Sequence, residues 1–335
     1  MLKRALSRLF AARALEAPDR PTYGYHLMIR AQGADASLWL NGAPLAEAAW
    51  SARNDSEMPV TRFLKPGGNE LAIQYEPYDE GAETYTAHPG VAFSIALAQS
   101  EKDIRRAAVR LFAGRFDPAA DGFVPVDPRD PDVARIAMLH PERHRDGAFG
   151  VPGTAEVTAT SFFNPVRKRM SGPAARKITL PFEIEPPMPV PPWTHAPVLS
   201  DGPELRRRLI DGYSALYEAY GGGDTSAVRK MAARWFDHAA VAEGWRDGAA
   251  LAGAWFKRRP VQLAYVHVGP MPAPNEAALM AAEPRFNPER TIAWYDSDDL
   301  RAGFEMADAD RFAFAWPRFC DDGSGALVIC LGPVP

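Results

Sequence analysis

The residues with the clearest chemical potential lie in one loop, Glu76 to Gly90. It combines carboxylates, a phenol and an imidazole in Asp79, Glu80, Glu83, Tyr85 and His88. Such groups suit a cation site or acid–base catalysis. Their spacing matches no metal-binding template, so an acidic, solvated loop is the alternative interpretation.

A second candidate is the pair His140 and His144, with Glu142 between them. In a helix both imidazoles would lie on one face, as in zinc hydrolases. The His-Glu-x-x-His order is absent, and Arg143 and Arg145 would repel a divalent cation. We therefore predict neither a metal nor a cofactor.

Signatures of nucleophilic catalysis are absent from the sequence. It contains no Gly-x-Ser-x-Gly elbow and no Ser-x-x-Lys pair. Gly221-Gly222-Gly223 follows a predicted helix rather than a strand, so it is not a phosphate-binding loop. These absences favour a protein that is not an enzyme.

The overall charge argues against nucleic acid as a partner. The 335 residues carry a formal net charge of -4, and binding a phosphate backbone requires an excess of Lys and Arg. Short basic runs such as Arg167-Lys168-Arg169 are interpreted as solvated faces. The sequence also lacks an apolar run long enough for a transmembrane helix.

Residues 1–18 have the pattern of an amphipathic helix, with Leu2, Leu6, Leu9 and Phe10 on one face. Docking of this helix on its own protein is favoured, and peripheral membrane contact by residues 1–15 is the alternative. Basic residues interrupt any signal-peptide core. We therefore predict a cytoplasmic protein.

The two cysteines, Cys320 and Cys330, lie in a predicted hairpin. Its turn sequence places Cys320 opposite Ala326 and Cys330 opposite Trp316, so the two thiols should not meet. Unpaired cysteines are consistent with a reducing compartment.

Residues 19–185 alternate apolar and polar side chains at the two-residue period of half-buried strands. The pattern is clearest in Asn69–Tyr75 and Val91–Leu97, and it also suggests a strand at Pro59–Leu64. Asn41-Gly42 is a strong hairpin signal. We predict an antiparallel β-sandwich domain.

The run Leu38-Trp39-Leu40-Asn41-Gly42, with Leu64-Lys65-Pro66-Gly67-Gly68-Asn69-Glu70-Leu71-Ala72-Ile73, resembles galactose-binding-like jelly-roll modules. The resemblance covers residues 36–99 and implies the sandwich fold, and such modules often accompany carbohydrate-active enzymes. Where they bind sugar they use aromatic side chains, and those available here are Trp39, Trp50, Tyr78 and Tyr85. Packing of Trp39 against a second sheet is the alternative.

Residues 186–199 are rich in proline, which favours an extended linker. Residues 200–335 follow as an α+β domain with helices first and an antiparallel sheet after them. The first helix has apolar residues at helical spacing from Leu205 to Tyr220, and Asp224 caps a second helix that continues to Ala239. A strand is predicted at Val261–Val268.

Residues 204–335 resemble nuclear-transport-factor-like cone folds, and the likeness rests mainly on Leu209–His238. A cone would form a pocket, whose candidate ligand-binding residues are Tyr213, Tyr217, Trp235 and His238. Asp237 adjoins His238, but neighbouring helical residues point about 100° apart, so the two cannot both face one cavity.

Two functions follow from these observations. The first is a non-enzymatic binding protein, for example an intracellular immunity-type or accessory protein, which binds another protein through Asp296, Asp298 and Asp299. The alternative is an enzyme or small-ligand carrier that uses the C-terminal pocket, with the sandwich as an accessory carbohydrate-binding-like module.

Overall fold

The computed structural model describes most of the chain and divides it into two compact units. The first unit is Pro21–Val190, and the second contains Pro191–Pro335. The described residues are 23–50, 54–101, 104–120, 122–126, 150–164, 166–167, 169–184, 188–221, 224–258, 275–295, 302–305, 312–315 and 317–331.

Antiparallel strands build the first unit. They are β1 Tyr23–Gln32, β2 Ala34–Leu40, β3 Ala43–Trp50, β4 Asn54–Pro59, β5 Gly67–Pro77, β6 Ala92–Glu101, β7 Ile104–Asp117, β8 Gly122–Pro125, β9 Gly150–Pro152, β10 Glu156–Ala159, β11 Phe163–Asn164, β12 Arg169–Met170 and β13 Arg176–Ile184. One sheet has the order β4-β1-β6-β7-β8, and another has the order β10-β13-β5-β2-β3 with β9 also paired to β13. β11 and β12 form a separate short hairpin.

The period-two patterns form strands because each buries one apolar face. In β13, for example, Ile178, Leu180 and Phe182 are buried between half-buried or exposed neighbours. Aromatic rings join the two large sheets: Tyr75 of β5 lies 5.2 Å from Phe93 of β6, centroid to centroid. The predicted strand Asn69–Tyr75 is confirmed within β5, and the predicted strand Val91–Leu97 is confirmed as part of β6, which begins one residue later at Ala92.

The predicted turn at Asn41-Gly42 is confirmed between β2 and β3, with both residues at positive φ. The predicted strand at Pro59–Leu64 is wrong, because β4 ends at Pro59 and Thr61–Phe63 form a 3-10 turn. The Thr61 hydroxyl accepts a hydrogen bond from the Tyr25 amide at 2.8 Å. The Val60 amide donates to the Tyr25 carbonyl at 2.7 Å, so both backbone groups of Tyr25 are bonded where β4 ends.

All α-helices in the described residues belong to the second unit. They are α1 Pro203–Gly221, α2 Thr225–Met231, α3 Ala233–Glu243, α4 Gly248–Arg258 and α5 Glu276–Ala281. The Asp224 carboxylate caps α2 as predicted, accepting from the amides of Ser226 and Ala227. The predicted second helix is not continuous, since Ala232 leaves helical geometry between α2 and α3.

Short antiparallel strands complete the second unit. They are β14 Arg285–Phe286, β15 Ala293–Trp294, β16 Ala302–Glu305, β17 Phe312–Ala315, β18 Arg318–Asp321 and β19 Leu327–Leu331. One sheet has the order β14-β15-β18-β19, and β16 pairs with β17. The predicted strand Val261–Val268 lies outside the described residues. A mostly antiparallel β fold with helices in the C-terminal half confirms the coarse part of the predicted fold class.

Cys320 and Cys330 are both buried and form no disulfide, but the prediction that their thiols do not meet is wrong, because burial and a hydrogen bond with Cys320 raise the pKa of the Cys330 thiol. The predicted register is wrong: Cys320 lies opposite Val328, and a bulge next to Arg318 shifts the pairing of Cys330. The five-residue turn begins one residue later than predicted, at Asp322, and the Asp321 carboxylate that precedes it accepts hydrogen bonds from the amides of Gly323 and Gly325.

No helix within the described ranges is long and apolar enough to cross a membrane.

Candidate functional site

Two acidic side chains are buried side by side in the first unit. Asp35 of β2 lies directly opposite Glu76 of β5, and both are fully buried. Like charges at directly opposed positions destabilise a sheet, and an uncompensated buried carboxylate is costly. The arrangement therefore needs donors from elsewhere in the chain.

Residues 162–172 supply those donors. The Asn164 amide donates to Oε2 of Glu76 at 2.8 Å and lies 3.5 Å from Oδ2 of Asp35. The amide nitrogen of Gly172 donates to Oε1 of Glu76 at 2.7 Å. Asn164 is itself fully buried, so its amide bridges the two carboxylates.

Two arginines neutralise the pair. Nε of Arg167 donates to Oδ2 of Asp35 at 2.9 Å, and a terminal nitrogen of Arg169 donates to Oε1 of Glu76 at 3.2 Å. Their side chains are 37% and 40% exposed, while both carboxylates are 0% exposed. Each ion pair thus has one buried and one partly solvated member.

Two tyrosines from the loop Glu76 to Gly90 support the arginines. The Arg167 guanidinium carbon lies 4.8 Å from the ring centroid of Tyr78, and that of Arg169 lies 4.4 Å from Tyr85. These are cation–π distances. The Tyr85 hydroxyl donates to Oδ2 of Asp35 at 2.9 Å. Burial and then the Asp35 contact raise the pKa of Tyr85 to about 12.

The two oxygens of the Asp35 carboxylate have different surroundings. Oδ1 of Asp35 is buried and has no donor among the described residues. The three donors to this carboxylate all converge on Oδ2. The hydrogen bond to Asp35 raises the pKa of Arg167, so Arg167 stays charged.

The hairpin of β11 and β12 has a second face besides the one that bonds the buried carboxylates. Asn164 pairs with Arg169 on the inner face, and Phe163 pairs with Met170 on the other. Phe163 is 40% exposed and Met170 is 58% exposed. We define the hairpin surface as the partly exposed side chains on both faces of this hairpin and on the loop beside it, namely Phe163, Met170, Arg167, Arg169, Tyr78 and Tyr85.

The two carboxylates are poorly placed for acid–base catalysis. A general acid or base must come within hydrogen-bonding distance of its substrate, whereas Asp35 and Glu76 are fully buried under their donors. The solvent-accessible groups are instead guanidiniums and apolar side chains.

The loop that the sequence singled out has mostly structural contacts. Asp79 accepts hydrogen bonds from the amides of Gly81 and Ala82, and Nδ1 of His88 accepts one from Gly90. Among described residues, no group of three or more His, Cys, Asp or Glu side chains could hold a metal ion. Of the five chemically distinctive residues in this loop, Tyr85 joins the carboxylate cluster directly.

Two of the candidate ligand-binding residues of the second unit, Tyr213 and Trp235, pack against other aromatic side chains. Tyr213 is buried against Phe319, and its hydroxyl donates to the Pro317 carbonyl at 3.1 Å. Trp235 packs on Phe236. Both belong to the hydrophobic core of this unit.

Tyr217 is half-buried on α1. His238 is buried with its ring 6.1 Å from that of Trp193. Asp237 is exposed while His238 is buried, which agrees with the expectation that these neighbours face different directions. Ligand binding by Tyr213, Tyr217, Trp235 and His238 stays a prediction.

Several predicted features lie outside the described residues. They are the helix 1–18, the pair His140 and His144, and the partner-binding residues Asp296, Asp298 and Asp299.

Sequence reasoning missed Asp35, Asn164 and the roles of Arg167 and Arg169. The prediction of a simply solvated basic run is wrong for these two arginines, which bond buried carboxylates. One signal was available: Asp35 interrupts the apolar run around Ala34 and Ala36 in a strand that is buried throughout.

Comparisons with protein-family models, curated proteins and solved structures find no match to this chain. The two fold resemblances noted from sequence motifs therefore stay predictions.

Proposed function

We propose that this chain is a non-enzymatic binding protein that binds another protein through the hairpin surface. The observation that carries the proposal is the composition of that surface. Arg, Tyr, Phe and Met are enriched in protein interfaces, and here they lie on one hairpin and the loop that supports it. The buried carboxylates already hold the two arginine side chains in place in the unbound protein.

This fixation favours affinity. Ordering a long side chain on binding costs about 0.5–1.5 kcal/mol, and Arg167 and Arg169 are already held by Asp35 and Glu76. Exposed Phe163 and Met170 then supply apolar area that a partner could bury.

The proposed architecture is an antiparallel β-sandwich domain followed by an α+β domain. Ring contacts between β5 and β6 support the sandwich, and helices followed by short strands support the second domain. The free, buried cysteines support a reducing, cytoplasmic location. The net charge of -4 supports a protein rather than a nucleic acid as the partner.

The enzyme or ligand-carrier alternative rests on Tyr213, Tyr217, Trp235 and His238. Burial of Tyr213 and Trp235 in the hydrophobic core favours a packing role for these two, and the Tyr213 hydroxyl is bonded to backbone on both sides. We therefore favour the binding protein.

Affinity capture from the native lysate tests the proposal. The bait is the tagged full chain, compared with a double variant carrying Phe163→Ser and Met170→Ser. Val241→Ser is the matched control, because Val241 is also an exposed apolar residue but lies on α3. A triple variant of Asp296, Asp298 and Asp299 to Asn tests the acidic segment.

We expect one stoichiometric protein on the wild type and on Val241→Ser, with its directly measured affinity lowered at least about tenfold in the double variant. Equal affinity for the wild type and the double variant would remove the hairpin surface from the proposal. Loss with the triple variant alone would assign binding to the acidic segment instead.

A further inference from the structure

The outward side of Arg167 has unused hydrogen-bonding capacity. Its guanidinium bonds Asp35 through Nε, and neither terminal nitrogen has an acceptor in the described part of the chain. Arg169, in contrast, uses a terminal nitrogen for both Glu76 and the Met170 carbonyl. The two terminal nitrogens of a guanidinium form a planar fork that matches an oxyanion.

The surroundings hold this fork in place. The Arg167 guanidinium carbon lies 4.8 Å from the Tyr78 ring centroid and 5.6 Å from that of Tyr85. Asp35 anchors its Nε side. Because Asp35 and the two tyrosine rings restrain the Arg167 guanidinium, its terminal nitrogens point in few directions. This restraint favours a bidentate contact with a ligand.

The charge of the cluster selects among oxyanions. Arg167 and Arg169 are balanced by the buried Asp35 and Glu76, so the cluster has no net charge. A doubly charged phosphate depends on excess positive charge for its affinity. A singly charged, planar carboxylate gains most of its binding from the geometry of the fork and from neighbouring apolar contacts.

We propose that the terminal nitrogens of Arg167 bind a carboxylate of an acidic partner segment, whose apolar side chains contact Phe163 and Met170. This inference rests on the proposed function and specifies the chemistry of the partner. The ligand class is a peptide with alternating acidic and apolar residues.

Fluorescence anisotropy of a labelled Glu-Leu repeat octapeptide with the full chain tests it. A Gln-Leu peptide of equal length controls for charge, and inorganic phosphate is added as a competitor. Arg167→Lys keeps the charge but loses the fork, and Arg246→Lys is the matched control on the second unit. Unchanged unfolding midpoints show that both variants are folded.

We expect the Glu-Leu peptide to bind to the wild type. Arg167→Lys should lower the affinity for this peptide about tenfold, whereas Arg246→Lys should leave the affinity unchanged. Millimolar phosphate should displace little of the bound peptide. Equal binding of the Gln-Leu peptide, equal binding by Arg167→Lys, or full displacement by phosphate would overturn the carboxylate assignment. If the peptide fails while the captured partner still depends on Phe163 and Met170, the proposed function stands and this inference falls.

Discussion

At the scale of single residues, the main feature is a pair of buried acids whose charges are balanced from a distant part of the sequence. Asp35 and Glu76 share Asn164 as a common donor and each bonds one arginine. Such a cluster stabilises the fold when it is complete, but loss of one member leaves a buried group unsatisfied. Its members should therefore be sensitive to conservative substitution.

Asp35→Asn should lower the free energy of unfolding of the first unit by about 1–3 kcal/mol. The substitution keeps the size of the side chain but removes the negative charge that Arg167 and Tyr85 contact. Urea unfolding measures the change. Glu156→Gln is the control, because Glu156 is exposed on β10; a similar effect of both substitutions would contradict a special role for Asp35.

The Tyr85 contact also predicts a pH dependence. The pKa of Tyr85 is raised to about 12, whereas an unfolded tyrosine titrates near about 10. The folded state therefore retains its proton longer, so the stabilisation is complete below about pH 10 and is lost as the pH rises to about 12. We expect the stability difference between wild type and Tyr85→Phe to be constant at lower pH and to shrink over that interval.

Difference titration by tyrosinate absorbance checks the same assignment directly. The wild type minus Tyr85→Phe should show one phenol that ionises near pH 12. Ionisation of that phenol near the ordinary tyrosine value would contradict the burial of Tyr85 together with its bond to Asp35.

At the scale of elements, the side-chain amides of Asn41 and Asn69 stabilise two turns of the first unit by hydrogen bonds. Nδ2 of Asn69 donates to the carbonyls of Lys65 and Gly67, and its Oδ1 accepts from the Lys65 amide. Asn41 joins this turn to its own by donating to Oδ1 of Asn69 at 2.8 Å. The turn at Asn41-Gly42 and the turn that contains Lys65 and Gly67 are thus one hydrogen-bonded unit.

Asn69→Ala should lower the free energy of unfolding of the first unit by about 2–3 kcal/mol, because it removes four hydrogen bonds of the buried Asn69 side chain. Guanidinium unfolding measures the change. Thr158→Ala is the control, since Thr158 is exposed on β10. An effect of Asn69→Ala below about 0.5 kcal/mol, the range of ordinary surface substitutions, would show that the Asn41–Asn69 connection contributes little.

At the scale of the whole molecule, each compact unit has a hydrophobic core of its own. The second core includes Leu209, Trp235 and Phe319, while the first includes Leu38, Tyr75 and Phe93. Domains with separate cores can unfold as separate cooperative units. We therefore expect two calorimetric transitions.

Leu209→Ala should lower the midpoint temperature of the transition of the second unit, and Asn69→Ala should lower that of the first unit. Leu209 is fully buried, and removal of such a side chain costs about 2–5 kcal/mol. Differential scanning calorimetry of the full chain measures both. A single transition that both variants shift equally would show that the two units unfold together.

The sequence by itself determined the local structure of much of this protein. The two-residue period identified β5 and β6, Asn41-Gly42 identified a hairpin, and Asp224 identified the start of α2. Each of these signals acts between residues that are close in the chain, because side-chain alternation, backbone φ preferences and capping are local properties. Composition and local patterns were sufficient for them.

Only the tertiary structure decided which residues form the candidate site. Asp35 and Arg167 are 132 residues apart, and Glu76 and Asn164 are 88 apart. Nothing in the local pattern of Arg167-Lys168-Arg169 distinguishes a solvated basic run from one whose arginines bond buried acids. The pairing of β2 with β5 sets the two acids side by side, and the return of residues 162–172 brings their donors. Such contacts depend on strand register and chain topology, which the alternation of side chains does not specify.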